Sequence, residues 1–156
     1  LTRQLEKRSR KQGLDGKVVF TGAVPYEKIP SMLQQTDVLV APYPQLPDFY
    51  FSALKIFEYM AAGKPIIASD IGQIASILKN QETAILVPPG DGKELYNAIM
   101  RLKKDPGLRS KLGDNALSEV RQKHTWGQRV EIISKILEGL ENQPKIGAKA
   151  GHADSL

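Results

Sequence analysis

The sequence predicts an α/β protein, a doubly wound parallel sheet followed by C-terminal helices. Three observations carry that expectation. Short apolar runs recur along residues 18–87 with helical stretches between them. The runs do not alternate apolar with polar, as befits strands buried on both faces of a parallel sheet. After residue 104 only helical patterning remains, so the layered part of the chain comes first and a helical part follows it.

Each element has a local reason. Residues 2–12 read as a helix ended by Gly13, and Val18-Val19-Phe20 as a strand running into Thr21-Gly22. A helix over 26–36 has Glu27 in its first turn and Ile29 and Leu33 on one face; Val38-Leu39-Val40-Ala41 then forms a strand closed by Pro42. The next helix spans about Ser52 to Ala62 and stops at Gly63, followed by the strand Pro65-Ile66-Ile67-Ala68, a helix over 72–79 and the strand Ala84-Ile85-Leu86-Val87. Each run is too short for a helix, partly β-branched and closed by a turn former. Gly90-Asp91-Gly92 lacks the G-x-G-x-x-G spacing and reads as a strand-to-helix turn, with Asp91 capping a helix over 92–104. Helices over 107–123 and 126–141 complete the pattern. Thr125 and Gln128 are spaced as a capping box, and Trp126 is expected to anchor the last helix in a core or against a further domain. The reading is one domain over 1–141, lacking a first strand, with 142–156 as a mobile tail.

Composition narrows the chemistry. Of 156 residues 41% are hydrophobic and 25% charged, which excludes global disorder. Absence of cysteine excludes a disulfide scaffold, a thiolate zinc site and a cysteine nucleophile. No apolar run approaches the length that spans a bilayer. The net charge of +5 is concentrated at the start, where residues 1–20 hold six basic side chains against two acidic ones. No aromatics interleave with them, so nucleic acid is not an expected partner; a solvated helix face is expected, with peripheral contact to an anionic membrane as the other reading. His124 and His152 have no partner at metal-ligand spacing, and both read as structural or solvated. The chain opens on Leu1 without a leader pattern, giving the expectation of a cytoplasmic chain that was either processed or is a piece of something longer.

The most informative stretch runs from Phe49 to Gly63. Between Ala53 and Ala62 only Lys55 and Glu58 carry charge, three residues apart and therefore neighbours on a helix surface. A carboxylate on so apolar a helix must find hydrogen bonds or bear a desolvation cost of roughly several kcal/mol. Two readings stay open at this point: a Lys55–Glu58 ion pair with no further role, or a Glu58 that accepts hydrogen bonds from ligand hydroxyls. Free amides of Ser52, Ala53 and Leu54 at the helix start suit an anion. In a doubly wound sheet the loops at Gly22, Pro42 and Ser69 gather beyond the strand ends, where ligands sit. Phosphate at the helix start and ribose at Glu58 make a coherent nucleotide site. Tyr43, just after the second strand, either faces that cleft or covers the core.

The segment Lys55-Ile56-Phe57-Glu58-Tyr59-Met60-Ala61-Ala62-Gly63-Lys64-Pro65-Ile66-Ile67-Ala68-Ser69 resembles the signature of family 4 GT-B glycosyltransferases (glycosyl transferases group 1) in their C-terminal donor-binding domain. Supporting context comes from Val18 to Val24, Thr36 to Pro42, Ile85 to Asp91, Leu102 to Leu112 and Thr125-Trp126, in order from about residue 4 to 140. The resemblance implies a Rossmann-like half of a GT-B fold and retaining transfer from a UDP-, GDP- or ADP-linked sugar without a required metal or other cofactor. It implies that Glu58 binds the ribose, that the amides of Ser52, Ala53 and Leu54 approach the pyrophosphate, and that Gly22, Ala23 and Val24 lie near the base. Two departures accompany it. The E-x7-E motif of the family has a Glu eight residues before Glu58, against the donor sugar, and here that position is Tyr50. The first strand with its basic residues and the N-terminal acceptor domain are expected ahead of Leu1, so the fragment alone is expected to be inactive, and Lys55 is a candidate replacement for the missing charge. Alternatives are a nucleotide-binding or interaction module without transfer, which Tyr50 favours, and a structural domain docking through its basic first helix.

Overall fold

The computed structural model describes residues 2–45 and 54–141. In order these form α1 (Thr2–Lys11), a 3-10 turn (Tyr26–Lys28) leading into α2 (Ile29–Gln34), β1 (Leu39–Ala41), α3 (Leu54–Ala61), β2 (Ile66–Ser69), α4 (Gly72–Ile77), β3 (Ile85–Val87), α5 (Gly92–Lys104), α6 (Pro106–Lys123) and α7 (Trp126–Glu141). The strands form one parallel sheet in the order β1-β2-β3, with Ile67 opposite Val40 on one side and Ile85 on the other.

Side chains alternate across a strand, so β2 divides the core in two. Ile66 and Ala68 point to the side where Ile56 and Met60 of α3, Ile74 and Ile77 of α4, and Ala116 and Val120 of α6 are buried together. Ile67 points the other way, where Ile85 and Val87 meet Ala98 and Leu102 of α5 and Leu112 of α6. Every residue of β2 is buried, as a strand covered on both faces should be. The middle of β1 departs from that expectation: Val40, on the Ile67 side, is exposed, and the cluster built around α5 takes in Val38 just before β1 but not Val40.

Turn chemistry fixes the ends. Gly63 ends α3 at φ +65 and Gly90 turns from β3 toward α5 at φ +75, a region that L side chains rarely occupy. Asp91 caps α5, its carboxylate accepting from the amides of Lys93 at 2.9 Å and Glu94 at 3.0 Å. The capping box at α7 also forms, with the Gln128 side chain accepting from the Thr125 amide at 2.8 Å.

One expectation fails and another is narrowed. Val18–Phe20 is not a strand, and Val19 is 80% exposed; no described strand pairs with it, and β propensity does not hold an extended segment without a ladder partner. Of the two anchors expected for Trp126, a core among the described residues is not one, since the side chain is 83% exposed. Val130, Ile133 and Leu137 follow it along an exposed apolar side of α7 that no described element covers. The basic side chains of α1 are exposed, in keeping with a solvated face. The expected tail over 142–156 lies outside the described residues.

Candidate functional site

The helix that bears the singled-out charges is positioned by its apolar residues. Ile56 and Met60, one turn apart, are fully buried against the sheet. Phe57 packs against His124 at the end of α6, ring centroids 5.0 Å apart and the planes tilted by 41°. Burial and the neighbouring Arg129 guanidinium hold the His124 imidazole below its ordinary pKa, which suits a packing role. Closest of all is the contact with α6, where Gly113 lies against the backbone at Gly63.

This leaves Glu58 half-buried on a different side of α3. It lines a cavity of about 240 Å³ together with Ala61 and Ala62, while Tyr26, Ile29, Pro30 and Leu33 form the facing wall. The Gln34 side-chain amide donates to the Ala62 carbonyl at 2.9 Å and so ties α2 to the end of α3. The wall is largely apolar, with Gln34 and the Tyr26 hydroxyl as its other polar groups, and the Glu58 carboxylate accepts no hydrogen bond and forms no ion pair among the described residues. An acidic group kept free beside an apolar cleft can accept from hydroxyls of a bound molecule.

Of the two readings left open by the sequence, the Lys55–Glu58 ion pair is not formed. Ion pairs among the described residues join Arg10 to Asp15, Glu119 to Lys79 and Lys123, and Glu131 to Lys135. Lys55 instead places its ammonium 4.8 Å from the centroid of the Tyr43 ring.

Tyr43 belongs to a second cleft, of about 220 Å³, at the carboxyl ends of all three strands. Pro42 and Tyr43 follow β1, Ser69 ends β2, Pro88 follows β3, and Gly90, Asp91 and Gly92 close the far side. Buried Ser69 holds this end together: its Oγ accepts from the Tyr43 amide at 2.8 Å and donates to the Tyr43 carbonyl at 3.1 Å. The Gly90 amide donates to the same carbonyl at 2.9 Å. At α5 the Asp91 carboxylate already occupies the first amides, so that helix start repels an anion rather than inviting one.

Gly22, at φ +64, Ala23 and Val24 lead into the 3-10 turn that begins with Tyr26 and so precede the wall facing Glu58. Leu54 is the first residue of α3 and is exposed. Tyr50, Ser52 and Ala53 lie outside the described residues. Tyr26 and Pro30 are the contributors that went unread in the sequence. Tyr26, Ile29, Pro30 and Leu33 recur at i, i+3, i+4 and i+7, a spacing that places them on one helix face. Ser69 was legible as the one hydroxyl at the end of an otherwise apolar strand. Among the described residues no cluster of His, Asp or Glu has the makings of a metal site, and no helix is long and apolar enough to cross a membrane.

Comparison with known proteins adds a family. The model for glycosyl transferases group 1 matches residues 1–105. An alpha-D-kanosaminyltransferase of Streptomyces kanamyceticus is 33% identical over 114 residues, 72% of this chain and 28% of that protein. Among solved structures, HepE of Anabaena in complex with UDP aligns with a TM-score of 0.71 at 25% identity, covering 91% of this chain and 37% of that one. The C-terminal domain of LpcC, a glycosyl transferase group 1 family protein of Francisella tularensis, aligns with a TM-score of 0.69 at 26% identity, covering 80% of this chain and 63% of that one. The chain thus spans under two-fifths of the length of the kanosaminyltransferase and of HepE.

Proposed function

Because the chain belongs to the glycosyl transferases group 1 family, we propose that it is the nucleotide-sugar-binding part of a longer, retaining glycosyltransferase. The observation that carries the reading is Glu58, a half-buried carboxylate with no protein partner among the described residues, on the wall of an apolar cleft. In this reading the Glu58 carboxylate accepts from the ribose hydroxyls of the donor. The base lies along the wall that begins at Gly22, Ala23 and Val24, and the pyrophosphate lies toward the start of α3 at Ser52, Ala53 and Leu54. Sugar transfer leaves negative charge on the departing diphosphate, and backbone amides fixed before the reaction stabilise it without reorganising. The acceptor comes from a preceding domain, and transfer requires both halves with their reacting atoms in contact. No metal or other cofactor is required. The carbohydrate-transferring name of the kanosaminyltransferase and the UDP bound to HepE support the class of donor, and the LpcC domain supports placement in the C-terminal half.

The test is calorimetric titration of the chain with UDP and with GDP, each beside a Glu58→Gln variant. Binding of one nucleotide that weakens about ten-fold in the variant supports the reading and names the base. Failure of both nucleotides to bind folded protein contradicts it. Tyr50, in place of the first Glu of E-x7-E, favours a second reading in which the module binds nucleotide but takes no part in transfer. Binding without any sugar transfer by the whole enzyme would select that reading.

A further inference from the structure

A lysine on a helix as apolar as α3 normally finds a carboxylate, and the nearest in sequence, Glu58, is three residues on. Among the described residues no anion pairs with Lys55. Its ammonium lies instead against the Tyr43 ring, 4.8 Å from the centroid. A cation–π contact orients an ammonium while leaving its full charge uncompensated. Tyr43 is itself held from two sides, by Ser69 through both backbone groups and by the Gly90 amide. The result is a half-buried cation presented beside the carboxyl ends of the strands, where ligands of a doubly wound sheet bind. Glu58 follows one turn later, at the separation of about 5–6 Å between Cβ atoms that i, i+3 spacing sets. Along one side of α3 the protein thus offers a cation and then a carboxylate acceptor. A nucleoside diphosphate presents the complementary order, an anionic diphosphate joined through one carbon to a ribose bearing vicinal hydroxyls.

We propose that Lys55 is the cationic contact of the donor diphosphate and that Tyr43 is its positioning residue. This rests on the nucleotide-sugar reading above and supplies a diphosphate charge from α3 itself. The test titrates the chain with UDP and GDP, and with uridine and guanosine, in the parent, Lys55→Met, Tyr43→Leu and Tyr43→Phe proteins. Lys55→Met is expected to weaken the diphosphate about ten-fold or more and leave the nucleoside unchanged. Tyr43→Leu is expected to weaken the diphosphate about two- to five-fold, with recovery in Tyr43→Phe and no further loss when combined with Lys55→Met. A Lys55→Met protein that binds the diphosphate like the parent overturns the proposal, as does an equal loss for nucleoside and diphosphate. If the parent binds and Glu58→Gln weakens it, such a result overturns only the role of Lys55. If the parent binds neither nucleotide, the reading beneath it falls as well.

Discussion

Replacing Gly113 with alanine should loosen the helix that carries the site. A Cβ at Gly113 would sit 2.3 Å from the Gly63 carbonyl oxygen and 2.9 Å from its carbon, closer than such atoms approach in real proteins. The obstructing atoms are backbone and cannot swing aside as a flexible side chain would. Gly63 is also the left-handed residue that ends α3, so any shift there moves the helix bearing Lys55 and Glu58. Two effects compete. Alanine gains about 1 kcal/mol over glycine in a helix interior. Overpacking costs about 1–3 kcal/mol, and a backbone obstruction puts this position at the upper end. The net is a loss of about 2 kcal/mol, which for a chain of this size lowers Tm by roughly 4–8 °C. Gly92, with nothing within 4 Å of its added Cβ, is the control, and Gly92→Ala should stay within about 0.5 kcal/mol of the parent. Urea unfolding with a common m-value measures both. A Gly113→Ala protein as stable as the parent would refute the close crossing of α6 over the end of α3.

Other consequences are checked in the same way. Asp91→Ala removes the acceptor of two amides at the start of α5 and should cost about 1 kcal/mol by urea unfolding, with Asp91→Asn recovering most of it. Ser69→Ala strips the half-buried Tyr43 amide of its acceptor; the expected cost is about 1 kcal/mol, and no loss would deny Ser69 its role in joining the strand ends. The His124 pKa is depressed in the folded chain by burial and by Arg129, so the unfolded chain binds the proton more readily. Its contribution is therefore present above about pH 6.5 and lost as pH falls through the lower folded value. Tm measured from pH 7.5 to 5.5 should fall, and His124→Gln should flatten the decline; an undiminished slope would assign it to other groups.

How much of this was readable in advance varies with the kind of signal. Ile66 to Ala68 of β2 were legible because a strand covered on both faces leaves an uninterrupted apolar run. Asp91, Gly63 and Gly90 were legible because caps and turns are decided within a few residues of chain. Glu58 stood out by contrast, as a charge on a helix otherwise built for burial. Val18 to Phe20 misled because strand formation is settled by the partner rather than by the segment. Trp126 was open between a core and a further domain, since an aromatic in an amphipathic helix reads as buried whatever covers it, and only its exposure among the described residues narrows that. Whether Lys55 turns to Glu58 or to Tyr43 depends on a meeting of α3 with the end of β1, and no helical spacing encodes that. The wall of Tyr26, Ile29, Pro30 and Leu33 was a legible periodicity, but its place opposite α3 became clear only in three dimensions.

The central claim is that the Glu58 carboxylate recognises ribose hydroxyls, and the most direct measurement compares UDP, or GDP if that is the nucleotide bound, with its 2′,3′-dideoxy analogue on the parent and on Glu58→Gln. In the parent, removing the hydroxyls should weaken binding about ten-fold or more, as loss of partners from a charged acceptor does. In Glu58→Gln the same change should matter far less, because the charged acceptor is already gone. An equal loss in both proteins, or no binding of either nucleotide by the folded parent, would contradict the account.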